Sequence, residues 1–165
     1  MTVKVLFVCL GNICRSPTAH GVFQKMLADA GLGAEIEVDS AGTGDWHIGR
    51  SPDPRSQAAA LSRNYDLSPL RARQVCLADF HEFDYILAMD KQNLTDLQAI
   101  RSDQAKCELA LFLNYAANPT RCEVPDPYYG GERGFDEVLD LVEAAAAGLL
   151  AHICEHHALG KGAGL

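Results

Sequence analysis

No stretch of this chain is long and apolar enough to cross a bilayer as a helix. Basic runs and stripes are missing too. With 14 Lys+Arg against 22 Asp+Glu the formal net charge is -8, which argues against a generic nucleic-acid binder or a polybasic membrane-surface protein. A local site can still oppose the global charge, so an anionic substrate stays open. There is no Cys-x-x-Cys pair, which speaks against a zinc ribbon or a thioredoxin motif, and no His-Glu-x-x-His helix. No export signal is expected, because Lys4 interrupts a short run that meets Gly11 and Asn12 without a small-residue cleavage pattern. The cytosol is therefore the expected compartment. The six cysteines (Cys9, Cys14, Cys76, Cys107, Cys122 and Cys154) read as thiols. Internal repeats, low-complexity segments and domain boundaries are lacking.

What is present fits one ordinary domain of 165 residues, 48% apolar and 22% charged. Residues 3–8 form a short β-rich apolar run closed by a Gly-Asn turn signal, hence a buried strand. Ser16-Pro17 opens a helix, with Ser as cap and Pro at the first position. Val22, Phe23, Met26, Leu27 and Ala30 continue it at helical spacing, and Gly31 suits its end. Strands are predicted around Ile36 and Val38, over 85–89 and over 109–113. Helices are predicted over 54–64 and after Asp90, which can cap. Residues 119–134 read as loop. The last helix shows one apolar face: Phe135, Val138, Leu139, Val142, Ala146, Leu149, Leu150 and Ile153. Strands alternating with helices predict an α/β domain, a parallel sheet covered on both faces. The domain is expected over residues 1–157, with 158–165 as a disordered tail.

The chemistry concentrates in Cys9-Leu10-Gly11-Asn12-Ile13-Cys14-Arg15-Ser16, between a strand and a helix N-terminus. Ligands of open α/β sheets bind beyond the carboxyl ends of strands. A helix N-terminus offers free N–H groups and a positive dipole end to an anion. Gly11 and Asn12 tolerate the left-handed backbone that turns successive N–H groups inward. Arg15 adds a planar fork for two phosphate oxygens. Cys9 at the floor of such a cradle is favoured as the thiolate, its nucleophilic form. The plainer alternative is a buried structural cysteine before an ordinary turn.

The segment V-C-L-G-N-I-C-R-S-P at residues 8–17 resembles the phosphate loop of low-molecular-weight protein tyrosine phosphatases. The likeness continues at Asp39-Ser40-Ala41-Gly42-Thr43, Asp45-Trp46, Gly49-Arg50-Ser51-Pro52-Asp53-Pro54-Arg55, Ala72-Arg73-Gln74 and Asp126-Pro127-Tyr128-Tyr129. It spans residue 3 to about 155 in the family's order. It implies a single-domain three-layer sandwich with a four-stranded parallel sheet, and a phosphomonoesterase without metal or cofactor.

By that resemblance Cys9 is the nucleophile that becomes phosphocysteine. Arg15 binds the phosphoryl oxygens, and the loop from Leu10 through Gly11, Asn12, Ile13 and Cys14 to Arg15 holds the phosphate. Ser16 donates to the thiolate, Asn12 holds the loop shape and Ser40 braces Asn12. Asp126 is the general acid; taken alone it reads as a solvated loop carboxylate. Leu10, Ile13, Trp46, Tyr128 and Tyr129 wall a slot for an aryl ring. Cys14 stands close enough in sequence to trap an oxidised Cys9 as a disulfide; its plainer reading is a small buried hydrophobe. One departure stands out: many relatives carry His two residues before Ala-Arg-Gln, where this chain has Leu70. His20 reads as an ordinary helix residue, and His152 with His156 as a solvated helix end.

Tyrosine-phosphorylated proteins are the implied partners, a tyrosine kinase is a candidate among them, and a monomer is expected. Two rivals share the scaffold. Arsenate reductase needs relay cysteines, and only Cys76 lies in the right region. Protein arginine phosphatase carries Thr where Ile13 stands. A non-catalytic phosphate-binding module is the rival of a different class; it would need neither thiolate nor acid.

Overall fold

The computed structural model describes residues 2–117, 119, 121–128, 130–131 and 133–159. Its sheet has four parallel strands in the order β2-β1-β3-β4: β1 Val3–Cys9, β2 Ile36–Gly42, β3 Tyr85–Ala88 and β4 Glu108–Leu111. The helices are α1 Arg15–Asp29, α2 Pro54–Leu61, α3 Asp79–Glu82, α4 Lys91–Ile100 and α5 Arg133–His156.

The two-residue period of β1 sorts its side chains between two cores. Val3, Val5, Phe7 and Cys9 face α1 and α5, where Phe7 meets Phe23 and Phe112 edge-on at 5.8 and 4.9 Å. Leu6 and Val8 face the other way, toward Phe80 and Phe83 of the α3 segment and Leu97 of α4. The three-layer α/β sandwich is thus the direct result of a central strand buried on both faces. The chain leaves β1 toward β2 and later crosses back to β3 on its other side. The loop after β1 therefore sits at the switch point of the sheet, where a crevice opens.

Several boundaries differ from the sequence reading. The first strand reaches Cys9, and α2 stops at Leu61, followed by Asn64 at φ 70°. Phe112 and Leu113, expected in a strand, lie in a 3-10 turn, Phe112–Tyr115; both remain fully buried, so their apolar character reported burial and not strand. The four-residue α3 was not expected at all. α1 ends at Gly31, φ 70°, with Leu32 N–H reaching back to the Leu27 carbonyl. α5 ends in the same way, but with Ala158 in the left-handed position (φ 54°) and Leu159 N–H on the Cys154 carbonyl. Leu159 packs against the core, and of the expected tail, residues 160–165 lie outside the described residues.

Candidate active site

The loop joining β1 to α1 is pinned from outside by its own carbonyls. Cys9 C=O accepts from Thr43 N–H, Leu10 C=O from Gly44 N–H, Ile13 C=O from Asp53 N–H and Cys14 C=O from Thr18 N–H, at 2.8–3.3 Å. Among the described residues no peptide bond is cis. In a trans peptide the next N–H points opposite to the carbonyl, so the N–H groups of Leu10, Gly11, Cys14 and Arg15 turn away from the scaffold, into the loop. Gly42 makes the close approach of β2 feasible: a Cβ there would stand 2.7 Å from the Leu10 carbonyl oxygen.

Of the two residues expected in the left-handed region, Asn12 adopts it (φ 56°) and Gly11 does not. Asn12 is locked at both ends of its amide. Its Nδ2 donates to Ser16 Oγ at 2.7 Å, and its Oδ1 accepts the Arg73 N–H at 3.0 Å. Its backbone N–H donates to Cys9 Sγ at 3.2 Å. Ser16 Oγ lies 3.1 Å from the same sulfur. That contact explains why Ser16 does not cap α1: Arg15 begins the helix, Cys14 stands at the cap, and the hydroxyl is drawn down to the thiol.

Arg15 is buried, its side chain only 4% exposed. Nη1 donates to Asp90 Oδ2 at 2.6 Å and to the Val124 carbonyl at 3.0 Å. Its Nη2 lies 3.6 Å from Asp126 Oδ2. Burial alone would make the guanidinium easier to deprotonate; Cys9, Asp90 and Asp126 together reverse this and raise it above its ordinary value. Asp90 was expected only as a helix cap. It does cap α4, accepting Asn93 N–H at 2.7 Å, and its other oxygen holds the arginine.

Ser40 does not brace Asn12: its hydroxyl is 3.0 Å from His20 Nδ1, and Asn12 is satisfied by Ser16 and Arg73. His20, read as an ordinary helix residue, is buried on the inner face of α1. Leu70, at the position of the usual histidine, is half-buried against the core. Burial holds the His20 imidazole below its ordinary 6.5, opposed by the Asp39 carboxylate. The folded state therefore binds this proton less readily than the unfolded chain. Stability is full above pH ~6.5 and falls as the pH drops below it, by at most about 1.4 kcal/mol per pH unit for one proton. His152, also lowered chiefly by burial, acts in the same direction. Denaturant titrations between pH 7 and pH 5 should show a smaller decline for His20→Gln than for the parent; identical slopes would remove His20 from the acid response.

A cavity of about 430 Å³ opens above the loop, lined by Cys9, Leu10, Gly11, Ile13, Cys14, Arg15, Trp46, His47, Asp126 and Tyr128. It brings together the expected nucleophile, cation and acid, although Asp126 is 117 positions from Cys9 in the sequence. Four of the five expected wall residues are there; Tyr129 lies outside the described residues. Trp46 is 67% exposed and covers no core; its ring packs where a Cβ on Gly44 would sit. His47 was not anticipated. Its half-buried ring crowds the space beside Gly11 and tilts toward Tyr128, 6.5 Å between centroids. Cys14 is buried, and its thiol is pushed up to about 12, mainly by that burial.

A doubly wound sheet carrying a thiol, an arginine and inward N–H groups at its switch point defines an α/β protein built to hold a tetrahedral anion against a nucleophile. A family profile described as low molecular weight phosphotyrosine protein phosphatase matches residues 4–159. The chain is 46% identical over 158 residues to a low molecular weight protein-tyrosine-phosphatase of Streptomyces coelicolor, covering 94% of this chain and 96% of that protein. A solved protein tyrosine phosphatase from Entamoeba histolytica, with Hepes in its active site, matches with TM-score 0.91 at 40% identity, covering 94% and 99%. The Drosophila arginine phosphatase matches with TM-score 0.85 at 31% identity, covering 91% and 97%. This chain belongs to the low-molecular-weight phosphotyrosine protein phosphatase family.

Proposed function

We propose that the protein hydrolyses phosphotyrosine in proteins through a phosphocysteine at Cys9. The observation that carries this reading is the meeting of Cys9, Arg15 and Asp126 in one cavity. The phosphoryl oxygens sit among the loop N–H groups and the Arg15 guanidinium. Cys9 Sγ attacks phosphorus in line with the departing tyrosine oxygen, and Asp126 gives that oxygen its proton. Water then attacks the phosphocysteine, giving a proton back to Asp126 and releasing phosphate. The Ser16 hydroxyl and Asn12 N–H, both beside Sγ, stabilise the sulfur as it leaves. Leu10 (40% exposed), Ile13, Trp46, His47 and Tyr128 form apolar and aromatic walls suited to a phenyl ring.

The decisive experiment measures phosphate release, with chelator and a thiol reductant, from peptides carrying phosphotyrosine, phosphoserine or phosphoarginine. Preferential release from phosphotyrosine is expected; preference for phosphoarginine would transfer the protein to the rival reading.

Proteins phosphorylated on tyrosine are the partners this reading implies, with a tyrosine kinase as a candidate among them. All six cysteines are free, which suits a reducing compartment such as the cytosol. Among the described residues no helix is long and apolar enough to cross a membrane. We further propose Cys14 as the partner of an oxidised Cys9. The Cys9 sulfenic acid and the Cys14 thiol would combine to a disulfide and water. Burial, which pushes the Cys14 thiol up to about 12, disfavours its thiolate in the closed loop. Peptide maps after mild peroxide should contain a Cys9–Cys14 bridge; a bridge to Cys76 instead would refute the pairing.

A further inference from the structure

Arg55, the second residue of α2, occupies a junction that the catalytic scheme leaves unused. Asp53 caps α2 by accepting the Arg55 N–H at 2.8 Å. The same carboxylate takes the Arg55 side chain as a fork, Nε at 3.1 Å and Nη2 at 2.9 Å. On its other side the Asp53 N–H donates to the Ile13 carbonyl of the phosphate loop. Arg55 Nη2 also donates to the Tyr128 carbonyl at 3.1 Å. Its guanidinium carbon lies 5.5 Å from the Tyr128 ring centre and 4.9 Å from that of Phe135, in the first turn of α5. Finally, the Tyr128 N–H donates to Asp126 Oδ1 at 3.0 Å. An unbroken path runs from the phosphate loop through Asp53 and Arg55 to Tyr128 and Asp126.

We propose that Arg55 is a positioning residue for the acid: a clasp that ties the segment carrying Asp126 to the phosphate loop. The proposal rests on the reading of Asp126 as the general acid. Asp126 needs such help. Its side chain is 37% exposed, and its segment has no regular secondary structure. Proton transfer tolerates little displacement, since an error of about 1 Å can cost on the order of 10²-fold. The planar guanidinium meets Asp53, the Tyr128 carbonyl and two rings at once, which an ammonium cannot do.

The test compares kcat/KM for phenyl phosphate, whose leaving group needs a proton, with that for nitrophenyl phosphate, whose leaving group barely does. Arg55→Met should lose roughly 10- to 100-fold on phenyl phosphate and less than about 3-fold on nitrophenyl phosphate. Competitive inhibition by inorganic phosphate should stay unchanged, because the phosphate loop is intact. Arg55→Lys, the variant to use if Arg55→Met melts early, should show the same selectivity at smaller size. In an Asp126→Ala background, Arg55→Met should add no further selective loss. Equal losses on both esters, weakened phosphate inhibition, or a full additional loss in the double variant would overturn the clasp. The acid reading stands or falls separately, on whether Asp126→Ala alone discriminates between the two esters.

Discussion

Cys9→Ser lowers turnover of an aryl phosphate by on the order of 10⁴-fold or more, while inorganic phosphate still binds with nearly parental affinity. The two halves of this expectation come from different atoms. Turnover needs a sulfur that can take the phosphoryl group and later release it. Serine supplies an oxygen that attacks poorly and, once phosphorylated, leaves poorly. Binding needs the loop N–H groups and Arg15, and neither depends on Sγ. The carbonyls of the loop are pinned by Thr43, Gly44, Asp53 and Thr18; Asn12 is held by Ser16 and Arg73. The cradle therefore survives the substitution. Rapid quench with labelled substrate and phosphate titration by calorimetry read the two quantities. A phosphoenzyme trapped on any other residue, or loss of anion binding along with turnover, would contradict the scheme.

Asp126→Ala is expected to lower kcat/KM for phosphotyrosine by about 10²- to 10³-fold and for nitrophenyl phosphate by under about 10-fold. The asymmetry follows from the leaving oxygen. A tyrosine oxygen departs as a basic anion unless it receives a proton during bond cleavage, whereas nitrophenolate carries its charge comfortably. The carboxylate lies 3.6 Å from Arg15 and lines the same cavity as Cys9. A series of aryl phosphates of graded leaving ability should therefore show a steeper dependence in the variant. Equal losses across the series would leave Asp126 an electrostatic neighbour and no proton donor.

Asp126, Trp46 and Tyr128 were legible only through the family resemblance; the site residues that the chain's own pattern reveals are those whose partners lie close along it. Cys9, Asn12, Arg15 and Ser16 fall within eight positions, between a strand and a helix, so the cradle is a local object. Asp90, His20 and Arg55 escaped because their partners are far away: Arg15 is 75 positions from Asp90, His20 is 20 from Ser40, and Arg55 is 73 from Tyr128. No periodicity or local propensity reports such pairs. Ser16 shows the converse. Its local signal for capping was real, but the thiol and the Asn12 amide compete for the same hydroxyl. In the core, Phe112 and Leu113 gave a correct signal of burial and a wrong one of strand, because short apolar runs do not specify the backbone. The parallel sheet itself was legible, since the apolar strands and amphipathic helices alternate without exception outside the small α3.

Asp90 gives one oxygen to the first turn of α4 and the other to Arg15. No other side chain can do both. Asparagine would still cap the helix but bring no charge to the arginine; glutamate would keep the charge but stand one methylene too far out to cap. The position is therefore closed to the gradual exchange by which most half-buried surface residues drift. Any lineage that changes Asp90 must rebuild the start of α4 and the electrostatics of the phosphate pocket in the same step.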